Sequence, residues 1–424
     1  MNMIDIKRLR ENPHFFRDAA RAKNVEIEVE RILELDRRVR ALKTELDGIK
    51  AQKNEASRDI VNADVEGRKL VIESMRHIDR RAETLEAEFT PLNEELTDLL
   101  YKIPNPACDD VKVGKSELDN EVVREVGERT VFSYTPKDHL ELGQGLGILD
   151  TERAAKTSGA RFVYFLGDGA MLQVALLQYA LSVTIKHGFI ATTVPHLVSA
   201  RVMRAMGYLE HGGHEEIYYL AKDNLYLIGT AEQSLGALHL DETLDENQLP
   251  LRYVGFSPCY RREAGGYGKD TKGIIRVHQF DKVEMFSFTT PAQADAEHQL
   301  LLAIEEELMQ GLGLPYRVIK QVTGDLGLPA ARKFDIETWL PSQQTYRETH
   351  STSTCSDFQA RRLNTRYKTE AGATEYVHTL NGTAFAIGRT LVAILENYQN
   401  EDGSVRVPLI LQPFIGGKTV LKPR

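Results

Sequence analysis

The sequence predicts an α+β fold in two parts: an N-terminal antiparallel coiled-coil hairpin, and a larger domain organised around an antiparallel β-hairpin with helices about it. Two observations carry this. Apolar residues recur in alternating steps of three and four through two long stretches between Ile32 and Leu99, which is the seam of paired helices. Two β-rich runs between Leu251 and Phe288 flank a glycine-rich, charged loop from Ala264 to Gly273, the pattern of two antiparallel strands with a long tip.

Composition narrows the function classes. A chain of 424 residues with 42% apolar content suits two or three domains and a sizeable core. A formal net charge of −9 excludes a generally basic nucleic-acid coat, so any RNA contact must come from a local cluster of Lys and Arg. Cys108, Cys259 and Cys355 are too scattered for a disulfide framework or a zinc site, which points to a reducing cytoplasm. His211 and His214 with Glu215 lack a third ligand at helical spacing, so no zinc is expected there either. The N-terminus lacks the apolar core of a signal peptide and no run approaches membrane-spanning length; a soluble cytoplasmic protein without a membrane partner is expected.

The first helix of the arm carries its seam at Ile32, Leu35, Val39, Leu42, Leu46, Ile49, Ala56 and Ile60, with Lys53 as a polar interruption. The second carries Val71, Met75, Ile78, Ala82, Leu85, Phe89, Leu92, Leu96 and Leu99. Folding back about Asn62 to Gly67 levels the two series, pairing Ile49 with Ala82, Leu42 with Phe89 and Leu35 with Leu96, and places the turn at Asn62, Asp64 and Gly67. The hairpin would reach on the order of 55 Å at 1.5 Å per residue. Pro91 is expected to kink the returning helix. Between Lys50 and Arg81 there are eight basic residues against six acidic ones, whereas the proximal parts have six against twelve. The distal set, Lys50, Lys53, Arg58, Arg68, Lys69, Arg76, Arg80 and Arg81, suits an RNA backbone; on charge alone an oligomerisation coiled coil fits as well. Residues 1–102 are read as this domain, 103–113 with Pro104 and Pro106 as a linker, and 114–424 as the second domain.

Within the second domain, Phe162 to Ala191 contains a helix with a continuous apolar face, assigned to the core. Ala292 to Leu312 reads as an amphipathic helix closed by Gly311 and Gly313, its acidic face solvated. In the central hairpin side chains alternate faces. Arg276, Phe280 and Glu284 therefore share one face of the second run, with His278 and Lys282 between them, and Arg261 and Glu263 share a face of the first. Arginine fits phosphate, phenylalanine stacks on rings, and glutamate pairs with amines; a solvated edge hairpin would show the same alternation. No GxxxxGK[ST] and no GxGxxG after a strand occurs, so a nucleotide would have to use the antiparallel sheet.

The literal strings go further. Tyr-Arg-Arg-Glu-Ala-Gly from Tyr260, Gly-Lys-Asp-Thr-Lys-Gly from Gly268 and Arg-Val-His-Gln-Phe-Asp-Lys-Val-Glu from Arg276 closely resemble the second signature motif of seryl-tRNA synthetases, which are class II aminoacyl-tRNA synthetases. Thr192 to Ala205 with Pro195 resembles the first class II motif, whose proline marks a dimer interface. Thr230, Ala231 and Glu232 match the family's Thr-Ala-Glu segment. Glu348 to Arg362, ETHSTSTCSDFQARR, corresponds to the segment that holds magnesium and phosphates, and His378 to Gln399 resembles the third motif, in which Gly382 and Gly388 would leave room for close approach of the ligand and Arg389 would stand at the mouth of a helix. The chain departs from the family at GYLEHGGHEEIYYLAKD, where a Gly-x-Gly-Gln-Leu-Pro-like loop is usual, and at His350, which replaces a serine.

The resemblance implies the class II antiparallel β-sheet core flanked by helices. It also implies serine–tRNA ligation: L-serine and ATP with Mg2+ form seryl-adenylate, and the acyl group passes to tRNA-Ser and, where present, tRNA-Sec. Arg261 would hold the α-phosphate and serine carboxylate, and Arg262 and Glu263 would belong to the ATP site, Glu263 accepting from the adenine amino group. Phe280 would stack on adenine; Arg276 and Arg389 would bind the outer phosphates. Glu348, Thr349, His350 and Ser351 would complete the ATP site, with Glu348 and Ser351 next to the metal. Thr230, Ala231, Glu232, Glu284 and Thr383 would surround serine, Glu284 pairing with the ammonium and, with Thr383, reading the hydroxyl. The arm would grip the long variable arm of tRNA-Ser, and the protein would be a homodimer. A non-catalytic tRNA-binding paralogue and an aminoacyl ligase serving a carrier protein are the rival expectations; the second tends to lack the arm.

Overall fold

The computed structural model describes residues 3–62, 64–264 and 273–424. Gly265 to Lys272, most of the expected loop tip, and Ala63 in the expected turn lie outside them. The described residues fall into two compact units, Met3–Arg21 with Val25–Pro104, and Ala22–Asn24 with Asn105–Arg424.

In the first unit, α1 (Val29–Asn62) and α2 (Val65–Tyr101) pack along each other. The Asp64 carboxylate caps α2 by accepting from the Gly67 amide at 2.8 Å, as an N-cap side chain does for an otherwise orphaned donor. The heptad residues Leu35, Val39, Leu42, Ile49, Ala82 and Leu96 are buried, while the residues between them lie mostly exposed. Ion pairs at Arg31–Glu95 (2.7 Å), Arg81–Glu45 (3.3 Å) and Lys53–Asp79 (2.6 Å) run across the two helices and agree with the antiparallel register. Lys53, at the polar interruption, is half-buried and sends its amine out to Asp79. Helix α2 continues through Pro91, so the missing donor does not end it.

At the base of the arm Leu9, Phe16, Ile32, Leu35, Leu96, Leu100 and Ile103 form one core. Beside it Arg10 holds the buried Asp36 with two hydrogen bonds of 2.7 and 2.8 Å. Exposed ion pairs contribute little, so the hydrophobic seam carries the stability. Leu35→Ala should therefore cost about 3 kcal/mol, read as a lower midpoint of the helical circular-dichroism transition in denaturant.

The second unit is built on an eight-stranded sheet. Its strands are β1 (Glu121–Val126), β2 (Ile190–Thr193), β3 (Leu251–Tyr260), β4 (Gln279–Thr289), β5 (Tyr316–Lys320), β6 (Arg332–Leu340), β7 (Thr345–Thr354) and β8 (His378–Ala386). The order is β1-β5-β6-β7-β8-β4-β3-β2. Every neighbouring pair is antiparallel except β2 with β3, which is parallel. Helices α3 (Asp168–Lys186), α4 (Ala294–Leu312) and α5 (Ile387–Asn397) supply one large core with Val283, Met285 and Phe385 from the sheet. The even-numbered residues of β4 point the other way, Phe286 and Phe288 into a second core with Met203, Leu235 and Leu363. Phe280, Lys282 and Glu284 lie on that side too and are left to line a cavity.

Two expectations need correction. Helix α3, 19 residues long, is apolar enough by length and composition to cross a membrane. Leu172, Ala175, Leu176, Tyr179, Ala180 and Val183 on one face are nonetheless buried in the core, which explains that composition. The acidic face of α4 is not simply solvated. Glu297 is buried in a two-bond pair with Arg252, both at 2.7 Å, and accepts from the Ser287 hydroxyl at 2.8 Å. Glu305 is fully buried with neither carboxyl oxygen hydrogen-bonded among the described residues. Burial, reinforced by Glu284 and Asp335, pushes its carboxyl well above the ordinary range and so favours the protonated form. It fits because Gly382 lacks a side chain there: a Cβ would stand 3.1 Å from Glu305 Oε1.

Candidate active site

The cavity, of about 530 Å3, lies over β4, β7 and β8. Strand register assembles its floor: Glu284 on β4 faces Thr383 on β8, and Ser351 and Ser353 on β7 face Asp335 and Lys333 on β6. At the closed end Glu284 is 1% exposed. Its Oε2 lies 2.5 Å from the Lys282 ammonium and accepts from the Thr383 hydroxyl at 3.4 Å. Burial pushes the Glu284 carboxyl above its ordinary value and Lys282 opposes this, while Glu232 adds to the rise. Glu232, also buried, accepts from the Tyr208 hydroxyl at 2.6 Å and from Gln359 Nε2 at 2.9 Å, with Thr230 alongside in the cavity wall.

The opposite end is cationic. Arg261 Nε donates to the Gly229 carbonyl at 3.2 Å, and the guanidinium stands 5.3 Å from the Phe280 ring centre. Arg276 reaches Glu263 at 3.4 Å. Arg389, in the first turn of α5, donates to the Glu348 carbonyl at 3.1 Å and lies 3.4 Å from its carboxylate. Burial works against ionisation of Glu348, but Arg389, with Lys333 and Arg261, outweighs it and leaves the carboxyl below its ordinary value.

The edge of the cavity is tied down by His139, which accepts from the Ile274 amide at 3.2 Å while its other ring nitrogen meets Glu396 at 3.1 Å. Gly273, at φ +78°, is required there because a Cβ would come within 2.0 Å of the imidazole.

The structure thus gathers Arg261, Glu263, Arg276, Phe280, Glu284, Thr230, Glu232, Glu348, Thr349, Ser351, Thr383 and Arg389 around one cavity. Thr349 spends its hydroxyl on Thr338 at 2.8 Å. Three expected residues do not line it. Ala231 is buried in the second core. Arg262 bonds through its amide to the Glu216 carbonyl at 2.9 Å, and its guanidinium lies over Tyr218 at 5.7 Å. His350 is buried beside Phe385, ring centres 5.5 Å apart, because alternation along β7 turns it away from Ser351. Nor does Gly382 open space for a ligand, since it faces Glu305.

Several wall residues were given no role from the sequence. Lys282 is one of them, although its parity with Phe280 and Glu284 marks it as part of the same face. Lys333, Ser353 and Asn381 arrive through cross-strand register. Tyr208 sits in the divergent segment, whose Glu216 also accepts from the Arg262 and Ala264 amides at 2.9 and 3.2 Å; that segment is therefore bonded directly to the end of the site's first strand.

An antiparallel sheet that presents arginines and carboxylates over an open cavity is the arrangement of a class II aminoacyl-tRNA synthetase. Residues 218–398 match the family described as "tRNA synthetase class II core domain (G, H, P, S and T)", and residues 3–107 match "Seryl-tRNA synthetase N-terminal domain". The chain is 47% identical over 423 residues to the serine–tRNA ligase of Thermobifida fusca, covering 99% of each, and 44% identical to that of Fervidobacterium nodosum, covering 99% of this chain and 100% of the other. It is similar to the crystal structure of seryl-tRNA synthetase from Pyrococcus horikoshii complexed with ATP, with TM-score 0.89, 39% identity and coverage of 99% and 100%. The chain belongs to the seryl-tRNA synthetases.

Burial holds two imidazoles of this unit neutral: His350 is lowered from 6.5 to about 3 and His298 to about 4. The unfolded chain takes up these protons near pH 6.5 and the folded chain does not, so their contribution is complete above about pH 6.5 and is lost as pH falls toward the folded values. His350→Gln should flatten the decline in unfolding free energy between pH 7.5 and 5, measured by denaturant titration at each pH.

Proposed function

We propose that the chain carries out serine–tRNA ligation in this cavity, with serine at the closed end and ATP along the cationic end. The observation that carries the reading is Glu284, buried at the floor between Lys282 and Thr383 in a cavity whose other end holds Arg261, Arg276 and Arg389. Arg261 binds the serine carboxylate and the α-phosphate, stabilising the charge that develops as carboxylate attacks phosphorus and pyrophosphate leaves. Phe280 stacks on adenine, Glu263 accepts from its amino group, and Arg276 and Arg389 hold the outer phosphates for in-line displacement.

The expected pairing of Glu284 with the serine ammonium is revised. Lys282 already sits on that carboxylate, and a second ammonium there would repel it. Glu284 and Thr383 therefore read the hydroxyl, and Glu232 takes the ammonium. A pocket built this way rejects alanine, because the missing hydroxyl leaves buried polar groups without a partner.

Glu348 and Ser351 offer hard oxygens beside the phosphate end, a donor set that fits Mg2+ once phosphate oxygens complete it. When bound, the metal neutralises phosphate charge. The arm binds tRNA-Ser, and tRNA-Sec where present, through Lys50, Lys53, Arg58, Arg68, Lys69, Arg76, Arg80 and Arg81. Among these Lys53 and Arg81 also pair within the arm, with Asp79 and Glu45. A homodimer is supported by apolar residues left exposed on α3 and β2, Met171, Val174, Ile185 and Ile190. A cytoplasmic location suits this chemistry. The gathering of Arg261, Glu284, Glu348 and Arg389 around one cavity and the full-length relatives argue against a non-catalytic paralogue, and the arm argues against a carrier-protein ligase.

Serine-dependent ATP–pyrophosphate exchange tests the reading: Glu284→Ala should abolish it, and near-normal exchange would sink the assignment. Deleting the arm between Glu34 and Glu94 should leave exchange intact while charging of tRNA-Ser collapses. Equal loss of both would remove the division of labour.

A further inference from the structure

Lys333 lines the cavity from β6 and has no part in the roles assigned above. Its ammonium is held by Asp335 Oδ1 at 3.1 Å, and the other oxygen of Asp335 accepts from Gln321 Nε2 at 2.6 Å. Register sets Lys333 opposite Ser353 and Asp335 opposite Ser351, so the pair stands on the floor next to the oxygens read as the metal and phosphate site. An ammonium carries three hydrogens, and Asp335 occupies one direction.

Burial disfavours the Lys333 charge, but Asp335 and Glu348 outweigh it and raise the amine above the ordinary lysine range. A cation of this kind, anchored at its side by a buried carboxylate and turned toward a cavity, is a compact point charge suited to phosphate oxygens. On the proposed function, the molecule that would bring phosphate to Ser351 and Glu348 is ATP.

We propose that Lys333 is a further phosphate-binding residue of this site, held ready by Asp335 and Gln321 to contact the outer phosphates of ATP and the departing pyrophosphate from the β6 side. This rests on the assignment of the cationic end to ATP. Asp335 acts as a positioning residue, and no bond is made or broken at Lys333.

Exchange kinetics test it in the full-length enzyme. Removing the lysine alone would strand a buried carboxylate, so the variant is the double substitution Lys333→Met with Asp335→Asn, with its thermal transition checked against wild type. The KM values for ATP and for pyrophosphate should rise about tenfold, the size of one charge-assisted hydrogen bond, with the KM for serine unchanged. Lys333→Arg should restore most of the ATP affinity. A folded double variant with wild-type KM for ATP and pyrophosphate would overturn the assignment. So would normal exchange combined with slowed transfer from preformed seryl-adenylate to tRNA-Ser, which would give the phosphate to the RNA. Wild-type exchange is the reference throughout, so a failure of the ATP assignment itself would appear there, before any variant is compared.

Discussion

A carboxylate kept at the bottom of a closed pocket is the constraint on which the site depends. Glu284 is almost fully removed from water, and a lone charge there would protonate. Lys282, two residues earlier on the same face of β4 and in contact at 2.5 Å, supplies the opposing charge. The pair needs two strands to hold it, since Thr383 completes the surroundings from β8. On the proposed function, the same ion pair would favour a neutral hydroxyl over a second ammonium beside that carboxylate, so selectivity and charge balance would come from one local arrangement.

Around that pair, charge is graded along the cavity. Carboxylates dominate the closed end and guanidinium groups the open one, each arginine already leaning on a carbonyl or carboxylate, as Arg261 does on Gly229 and Arg389 on Glu348. These contacts hold the side chains in place, which would reduce the entropy lost on binding an anion there. The sheet beneath is supported by α4, and there the chain tolerates unusual chemistry. Glu305 is buried under Gly382 with neither carboxyl oxygen hydrogen-bonded among the described residues, and its surroundings push the carboxyl well above its ordinary range.

The arm follows a different logic. Its stability comes from a narrow apolar seam, and its outer surface is free to carry charge. That separation lets Lys50, Arg58, Lys69, Arg76 and Arg80 stand exposed without disturbing the packing of Leu35, Leu42 and Leu96.

How much was legible in the chain depended on how local the signal was. The heptad steps, the turn at Asp64, the apolar helix α3 and the alternation of Phe280, Lys282 and Glu284 are all short-range periodicities, and the amino-acid order by itself determined them. The long literal motifs likewise determined the family and most of the cavity's residues. What only the tertiary structure decided is which side of a strand faces the ligand and what lies across from it. His350 turns into the core and Gly382 faces a helix rather than a nucleotide. The acidic face of α4 is partly interior, and Lys333 reaches the site through the register of β6 on β7. The physical reason is that face and register in a central sheet are settled by packing between segments far apart in the chain. That information is spread over the whole sequence and appears in no single stretch of it.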